Sequence, residues 1–426
     1  MRMNIDLGEV LYPREKYLRK IRGFYHETEI IKVITGVRRC GKSSIMKLAI
    51  RELLSSGVSE SNILYLHLDK RPYAGIKTPK QLDKLIEKLS KGLIGKKYLF
   101  IDEIQNVDGF ETVINAWREE RDYSIFLTGS NSYLLSGELA TKLTGRYIEF
   151  GILPLTLEEY IRMKAFLGKS VSADWQEELE RYILEGGFPY ALKLNSIDEK
   201  RTYTQNLIEE IYEKDVRKRI RIRNRASFDI VMKYFINNFG ATTNVQNIVE
   251  DLKREGNPIK INTVYRYIEA LKNAKVLIEC DRFDLKSRKS LKGEKKYYLS
   301  DLAFYYAYNT DNQINYGPVL ENILHNYALS LGYRVSIGKI GKLEVDFILR
   351  DNYMNYSYVQ VAYTVLSSKR TEDREFAPLE DIRDNYPKYV LTTDRLRQRR
   401  KGILHMNITD FMCNEKRFDG TDIEKQ

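Results

Sequence analysis

Apolar positions change period several times along the chain, and each change predicts an element. Tyr17, Leu18, Ile21 and Phe24 recur at helical intervals, which predicts a lead-in helix within residues 1–30. Ile31, Val33 and Ile34 then form a short β-branched run that suits a buried strand. Ile45, Met46, Leu48, Ala49 and Leu53 return to helical spacing. Residues 62–69 (NILYLHLD) read as a second strand, and residues 78–93 as an amphipathic helix stopped near Gly92 and Gly95. Three further apolar runs follow, at residues 98–101, 124–128 and 147–150. Five strands alternating with helices predict a parallel sheet covered on both faces, an α/β domain.

Beyond residue 150 the period stays helical for a long stretch, through Leu157 to Arg219, interrupted by a sharp turn at Gly186-Gly187-Phe188-Pro189. Residues 228–239, 245–252 and 262–271 then give three short helices, the third capped by Asn262 or Thr263. Two strands follow at residues 276–280 and 295–299. The last portion predicts a helix over residues 319–331 and strands at 333–336, 343–349 and 357–363. These shifts place domain boundaries at 1–152, 153–225, 226–305 and 306–426.

Composition narrows the class without choosing a function. A chain of 426 residues exceeds what one core holds. Hydrophobic content of 43% and charged content of 30% belong to a globular protein, and no apolar run has the length a bilayer requires. The opening residues lack the apolar core of a signal peptide, so the expected location is cytoplasmic, without a membrane partner. Cys40, Cys280 and Cys413 are too scattered to frame disulfides or a zinc site. A net charge of +11 permits nucleic-acid or acidic partners but is dilute over this length.

The chemistry concentrates at the first strand–helix junction. Gly36-Val37-Arg38-Arg39-Cys40-Gly41-Lys42-Ser43 matches G-x-x-x-x-G-K-[ST], with a strand before it and a helix after it. The glycines let the backbone approach phosphates, and the freed N–H groups of the loop and of the helix start, through Ser44, face them. Lys42 supplies a point charge to the β- and γ-phosphates, and Ser43 a hydroxyl for Mg²⁺. The strand at 98–101 ends in Asp102 and Glu103, placed to hold the metal and to polarise the attacking water respectively. The expected ligands are therefore ATP and Mg²⁺. Ser130 and Asn131, after the fourth strand, are candidates to reach the γ-phosphate or the water, although Gly, Ser and Asn are also turn residues. Arg146 is a candidate arginine finger for a neighbouring subunit of a homo-oligomer; a surface arginine is the plain alternative.

The P-loop, YLFIDEIQ, FLTGSNS and LTGRYIEF together resemble the AAA+ ATPases. More narrowly, they resemble prokaryotic AAA-family ATPases that carry a C-terminal domain of unknown function. The likeness extends through Leu153-Pro154-Leu155, Glu158, Glu159, Tyr160 and the Gly186–Pro189 turn. It implies a doubly wound P-loop sheet followed by a helical lid over Leu157 to Arg219. Residues 226–305 resemble a winged helix-turn-helix, which implies a DNA partner. Its third helix would present Asn262, Tyr265, Arg266 and Glu269, and Lys286, Arg288, Lys289, Lys292, Lys295 and Lys296 would charge the wing. Winged helices also serve protein packing alone, and Glu269 weakens the DNA reading.

Residues 306–426 are similar to restriction-endonuclease-like nucleases, in which a helical Glu, a strand Asp and a Glu-x-Lys assemble a Mg²⁺ site. Glu321 and Asp346 match the first two positions, but Gln360-Val361-Ala362 stands in place of Glu-x-Lys. Alanine cannot polarise water, and glutamine is a weak neutral ligand, so an inactive nuclease-like domain is expected. The functional expectation is ATP hydrolysis with Mg²⁺ that drives rearrangement of partner-binding C-terminal domains, the partner protein being unread. Rival readings are an ATP-gated DNA-binding regulator or defence protein, an ATP-switched nuclease, and a module that binds ATP without turnover.

Overall fold

The computed structural model describes residues 10–129, 145–218, 220–222, 224–285, 289–309, 314–340 and 343–421. Contacts sort the chain into two units, residues 1–153 with 273–275, and residues 154–272 with 276–426. The first contains α1 (Glu15–Arg22), β1 (Ile31–Thr35), α2 (Lys42–Ser55), β2 (Ile63–His67) and α3 (Pro79–Ser90). It continues with β3 (Lys97–Asp102), α4 (Phe110–Glu119), β4 (Tyr123–Gly129) and β5 (Tyr147–Gly151). The strands pair in the order β2-β3-β4-β1-β5, all parallel. Every residue of β1 and β4 is buried, which is why those strands read as mostly apolar runs. Thr78 starts α3 through a capping box with Gln81, followed by Pro79 at the first helical position. The lead-in helix is shorter than its periodicity predicts: Phe24 lies past its end and packs edge-on against Phe150 at 5.7 Å.

A lysine stands among the buried side chains of this sheet. Lys32, wholly buried in β1, donates from Nζ to the Glu27 carbonyl at 2.5 Å and to Ser124 Oγ at 2.9 Å, above the Phe126 ring. Burial pushes its ammonium down to about 7.

The second unit opens with three helices, α5 (Leu157–Phe166), α6 (Trp175–Glu185) and α7 (Ile197–Ile211). The Gly186-Gly187 turn explains itself by contact. A Cβ on Gly186 would lie 2.2 Å from Asp301 Oδ1, and one on Gly187 would lie 2.3 Å from the Leu155 carbonyl. Asp301 binds the turn in return, accepting the Gly187 N–H at 2.8 Å and the Ala303 N–H at 2.8 Å. Burial pushes its carboxyl up to about 7, with those two amides opposing.

Next come α8 (Arg225–Asn237), β6 (Thr242–Thr243), α9 (Val245–Arg254), α10 (Ile261–Asn273), β7 (Leu277–Asp284) and β8 (Lys289–Leu299). Asn262 and Thr263 do not cap α10; the helix begins one residue earlier, so both lie in its first turn. Strand β8 pairs antiparallel with both β7 and β6. Helices α11 (Ala303–Tyr308) and α12 (Tyr316–Leu331) lead to β9 (Arg334–Ile340), β10 (Leu343–Arg350) and β11 (Tyr356–Val361). The chain closes with α13 (Lys369–Glu380), β12 (Lys388–Thr392), β13 (Gln398–Arg400), β14 (Ile403–Asn407) and α14 (Ile408–Cys413). Among the described residues of this unit, nine strands form one mixed sheet, β13-β14-β12-β11-β10-β9-β7-β8-β6, joined across its middle by the parallel pair β7 and β9. Among the described residues no helix is long and apolar enough to cross a membrane.

Candidate functional site

The P-loop leaves the C-terminal end of β1, where Gly36 passes so close to the neighbouring chain that no side chain fits. A Cβ there would meet the Ile152 carbonyl at 2.2 Å and Cys40 Sγ at 2.7 Å. Gly41, at φ 108°, stands at the N-cap of α2, so the loop feeds directly into the helix start. Val37, Arg38 and Cys40 are buried, Arg39 is exposed at φ 67°, and Ser43 and Ser44 are half-buried in the first turn of α2. Lys42 is buried, and its Nζ donates to the Gly36 carbonyl at 3.0 Å and the Val37 carbonyl at 3.1 Å. Among the described residues it forms no ion pair. A buried ammonium held by two carbonyls beside a helix N-terminus fits an anionic ligand such as a phosphate.

Asp102 is the last residue of β3 and is fully buried. Thr128 Oγ1 donates to its Oδ1, while Tyr65 Oη donates to Oδ2 at 3.2 Å and His67 Nε2 lies 3.6 Å from the same atom. Glu103 leaves the strand in the left-handed region, at φ 60° and ψ 48°, a strain of about 1–3 kcal/mol for a non-glycine residue. Its N–H donates to Thr128 Oγ1 at 3.0 Å, and Gln105 Nε2 donates to its carboxylate. Burial raises the Glu103 carboxyl; Asp102 and Asp69 add like charge, and Lys42 and Arg38 oppose. The strain and the raised pKa fall on one residue, as they do at reactive carboxylates.

Arg146 is half-exposed just before β5, where its carbonyl accepts the Ile31 N–H. That is the end of the sheet opposite the P-loop of the same chain, because β1 and β5 run parallel. Its guanidinium donates to Asn115 Oδ1 at 3.0 Å. Ser130 and Asn131 lie outside the described residues.

Three contributors escape pattern reading. Thr128, Tyr65 and Arg14 sit in apolar or unremarkable stretches; strand order brings the first two to the site, and the approach of α1 brings the third. Arg14 reaches the loop from the residue before α1, donating to the Cys40 carbonyl at 3.1 Å and the Leu153 carbonyl at 2.8 Å. The strand alternation of the Asn62–Asp69 run signals that Tyr65 and His67 share a face, but not that Asp102 faces them.

In the second unit the acids read from the sequence do converge. Glu321 on α12 accepts from Tyr298 Oη at 2.9 Å and pairs with Lys296 Nζ at 3.4 Å. Lys296 also pairs with Glu344 at 2.9 Å, and Arg282 holds the other Glu344 oxygen. The expectation that Lys295 and Lys296 charge a wing is corrected: Lys296 is buried with acids, and Lys295 pairs with Glu279 and Asp281. Lys286 and Arg288 lie outside the described residues. Asp346 accepts the Val361 N–H at 2.8 Å, and Gln360 donates to Glu375 at 3.1 Å. Burial, then the neighbouring Glu321, raises the Asp346 carboxyl, with Lys296 opposing. Among the described residues no group of three or more His, Cys, Asp or Glu could hold a metal ion.

The first unit is thus a P-loop nucleotide-binding fold of the AAA class. An AAA domain (AAA_14) matches residues 28–161, and a domain of unknown function (DUF8612) matches residues 176–315. An uncharacterized protein of Haemophilus influenzae is 33% identical over 389 residues, 91% of this chain and 94% of that one. The chain belongs to that family of AAA-domain proteins. An uncharacterized protein of Methanocaldococcus jannaschii is 27% identical over 389 residues, 87% of this chain and 84% of that one. Among solved structures, the Walker-type ATPase of Pyrococcus abyssi shares the fold, with a TM-score of 0.50 and 16% identity over 70% of this chain and 95% of that one.

Proposed function

We propose that the protein binds ATP with Mg²⁺ and hydrolyses it. The observation that carries the reading is the placement of Glu103, a half-buried carboxyl held in a left-handed turn at the end of β3, on which Lys42 and Arg38 of the P-loop act electrostatically. Lys42 and the loop N–H groups bind the phosphates, and Ser43 and Asp102 would hold Mg²⁺, which would supply charge neutralisation for them. Glu103 orients the attacking water and takes its proton. Thr128, Tyr65 and His67 keep the Asp102 carboxylate in place. The test is phosphate release from ATP by the wild type, Lys42→Ala and Glu103→Gln. Unaltered turnover in both variants overturns the assignment.

Turnover drives rearrangement of C-terminal partner-binding regions in this reading, and Arg146 acts across a homo-oligomer. A second reading, ATP-gated DNA binding, is favoured by the outer face of α10, where Asn262, Tyr265, Arg266 and Glu269 are all exposed. Arg266 donates to the Arg221 carbonyl at 3.1 Å, which sets the exposed Arg221 beside that face. Retardation of duplex DNA with and without ATP separates the two readings.

A further inference from the structure

One hydroxyl joins the two acids of the site. Thr128 lies near the end of β4, fully buried, and β4 is the strand between β3, which carries the acids, and β1, which leads to the P-loop. Register places Thr128 beside Ile34 of β1, and the ladder between β3 and β4 reaches Ile101 opposite Leu127. At the next step the Glu103 N–H is taken by the Thr128 side chain, at 3.0 Å. The same oxygen donates its proton to Asp102 Oδ1. A hydroxyl has one proton to give, so this contact fixes which way it points. With that proton committed to Asp102, the oxygen is oriented to receive the Glu103 amide.

We propose that Thr128 is a positioning residue that locks Asp102 and Glu103 into one rigid unit, so that holding the metal and activating water depend on a single side chain. The proposal rests on the ATPase reading. The residue acts through the two carboxylates, and its loss therefore has a distinctive pattern. Without the hydroxyl, Asp102 Oδ1 loses its donor and turns more freely, while the Glu103 N–H loses the acceptor that fixes the left-handed turn. The phosphate-binding lysine keeps its own partners, because the acceptors of Lys42 Nζ are the Gly36 and Val37 carbonyls and not Thr128.

The experiment compares wild type with Thr128→Val, which keeps the shape and removes the hydroxyl, and Thr128→Ser, which keeps the hydroxyl. Thr128→Ala serves as a second hydroxyl-free variant. Affinity for a fluorescent ATP analogue that resists hydrolysis is measured with and without Mg²⁺, alongside kcat. In Thr128→Val and Thr128→Ala the metal-free affinity stays at the wild-type value. The gain in affinity on adding Mg²⁺ and the kcat each fall by about 10- to 100-fold, the usual effect of losing a partner that orients a metal ligand. Thr128→Ser restores both. A valine or alanine variant with wild-type kcat and Mg²⁺ gain overturns the role of Thr128 and leaves the ATPase reading standing. A serine variant as damaged as valine overturns it too, because the methyl group, not the hydroxyl, then matters. A wild type that neither binds nor hydrolyses ATP overturns the ATPase reading, and this proposal with it.

Discussion

Replacing Glu103 by glutamine separates chemistry from structure at this site. The substitution keeps size and shape, leaves the backbone at φ 60° and ψ 48°, and does not touch the N–H that donates to Thr128. An amide oxygen can still accept from Gln105 Nε2. What is lost is the negative charge and the proton-accepting oxygen. General-base assistance contributes about 10²- to 10⁴-fold, equivalent to about 3–5 kcal/mol of barrier, so kcat should fall within that range. Stability should move the other way. Burial raises the carboxyl pKa, so the folded state disfavours the ionised form at neutral pH, and a neutral amide removes that penalty. Wild-type activity should decline as pH falls through the raised Glu103 titration, because the base must be ionised, and the variant should lack that limb. Single-turnover phosphate release at saturating ATP and Mg²⁺, nucleotide affinity and a thermal melt check the three parts. A variant within about threefold of wild type in kcat refutes the base assignment, since even the lowest of these contributions is larger. A melting temperature that drops along with activity shows that Glu103 matters for folding rather than for water.

Lys42→Ala should weaken ATP binding about 10- to 100-fold by equilibrium titration, the value of a hydrogen bond to a charged group; unchanged affinity removes Lys42 from the phosphate site. Arg146→Ala should abolish any rise in specific activity with protein concentration while leaving ATP affinity intact, and a monomer with constant specific activity refutes a role across subunits. For Lys32, with its pKa near 7 against the ordinary 10.5, the unfolded chain binds the extra proton between those values, so stability gains with rising pH. Wild type should therefore gain up to about 4 kcal/mol relative to Lys32→Met between pH 7 and 10, by denaturant unfolding, and a constant difference across that window refutes it. The protein should not cleave DNA or RNA with Mg²⁺ or Mn²⁺, and robust cleavage abolished by Asp346→Ala refutes the inactive nuclease-like reading.

The first unit was legible because its signals are local. A buried parallel strand writes itself as a β-branched run, and the loop after it must carry glycine where Gly36 meets the Ile152 carbonyl. Asp102 and Glu103 read as candidates for the same reason, as acids closing an apolar strand. Thr128 and Tyr65 do not, since their value depends on β4 and β2 flanking β3, and strand order is a non-local property. Arg14 has no motif at all; its two carbonyl acceptors lie 26 and 139 residues away in sequence. Lys32 shows the converse limit. Its neighbours predict burial and its own chemistry predicts exposure, and only the Glu27 carbonyl and Ser124 hydroxyl reconcile the two.

The second unit was misread where charge was taken for exposure. Lys295 and Lys296 follow Lys286, Arg288, Lys289 and Lys292 closely enough to suggest one phosphate-facing run. Alternation along β8 sends Lys296 inward instead, to the face where α12 brings Glu321 and β10 brings Glu344. This ties the hairpin of β7 and β8 to the elements that follow it, and the pairing of β7 with β9 does so again through the backbone. Pulling Lys296 away would leave Glu321 without its cation and Glu344 with Arg282 alone, at a cost below the roughly 3–5 kcal/mol of a fully buried pair because both carboxylates keep some exposure. That lies within what a ligand of strongly unequal affinity for two states can supply. A nucleotide-driven rearrangement inside this unit therefore meets less resistance where it leaves the hairpin, α12 and β10 together than where it parts them. Lys296→Met offers the direct check: if it loosens this segment, hydrogen exchange in β8 and α12 should rise together.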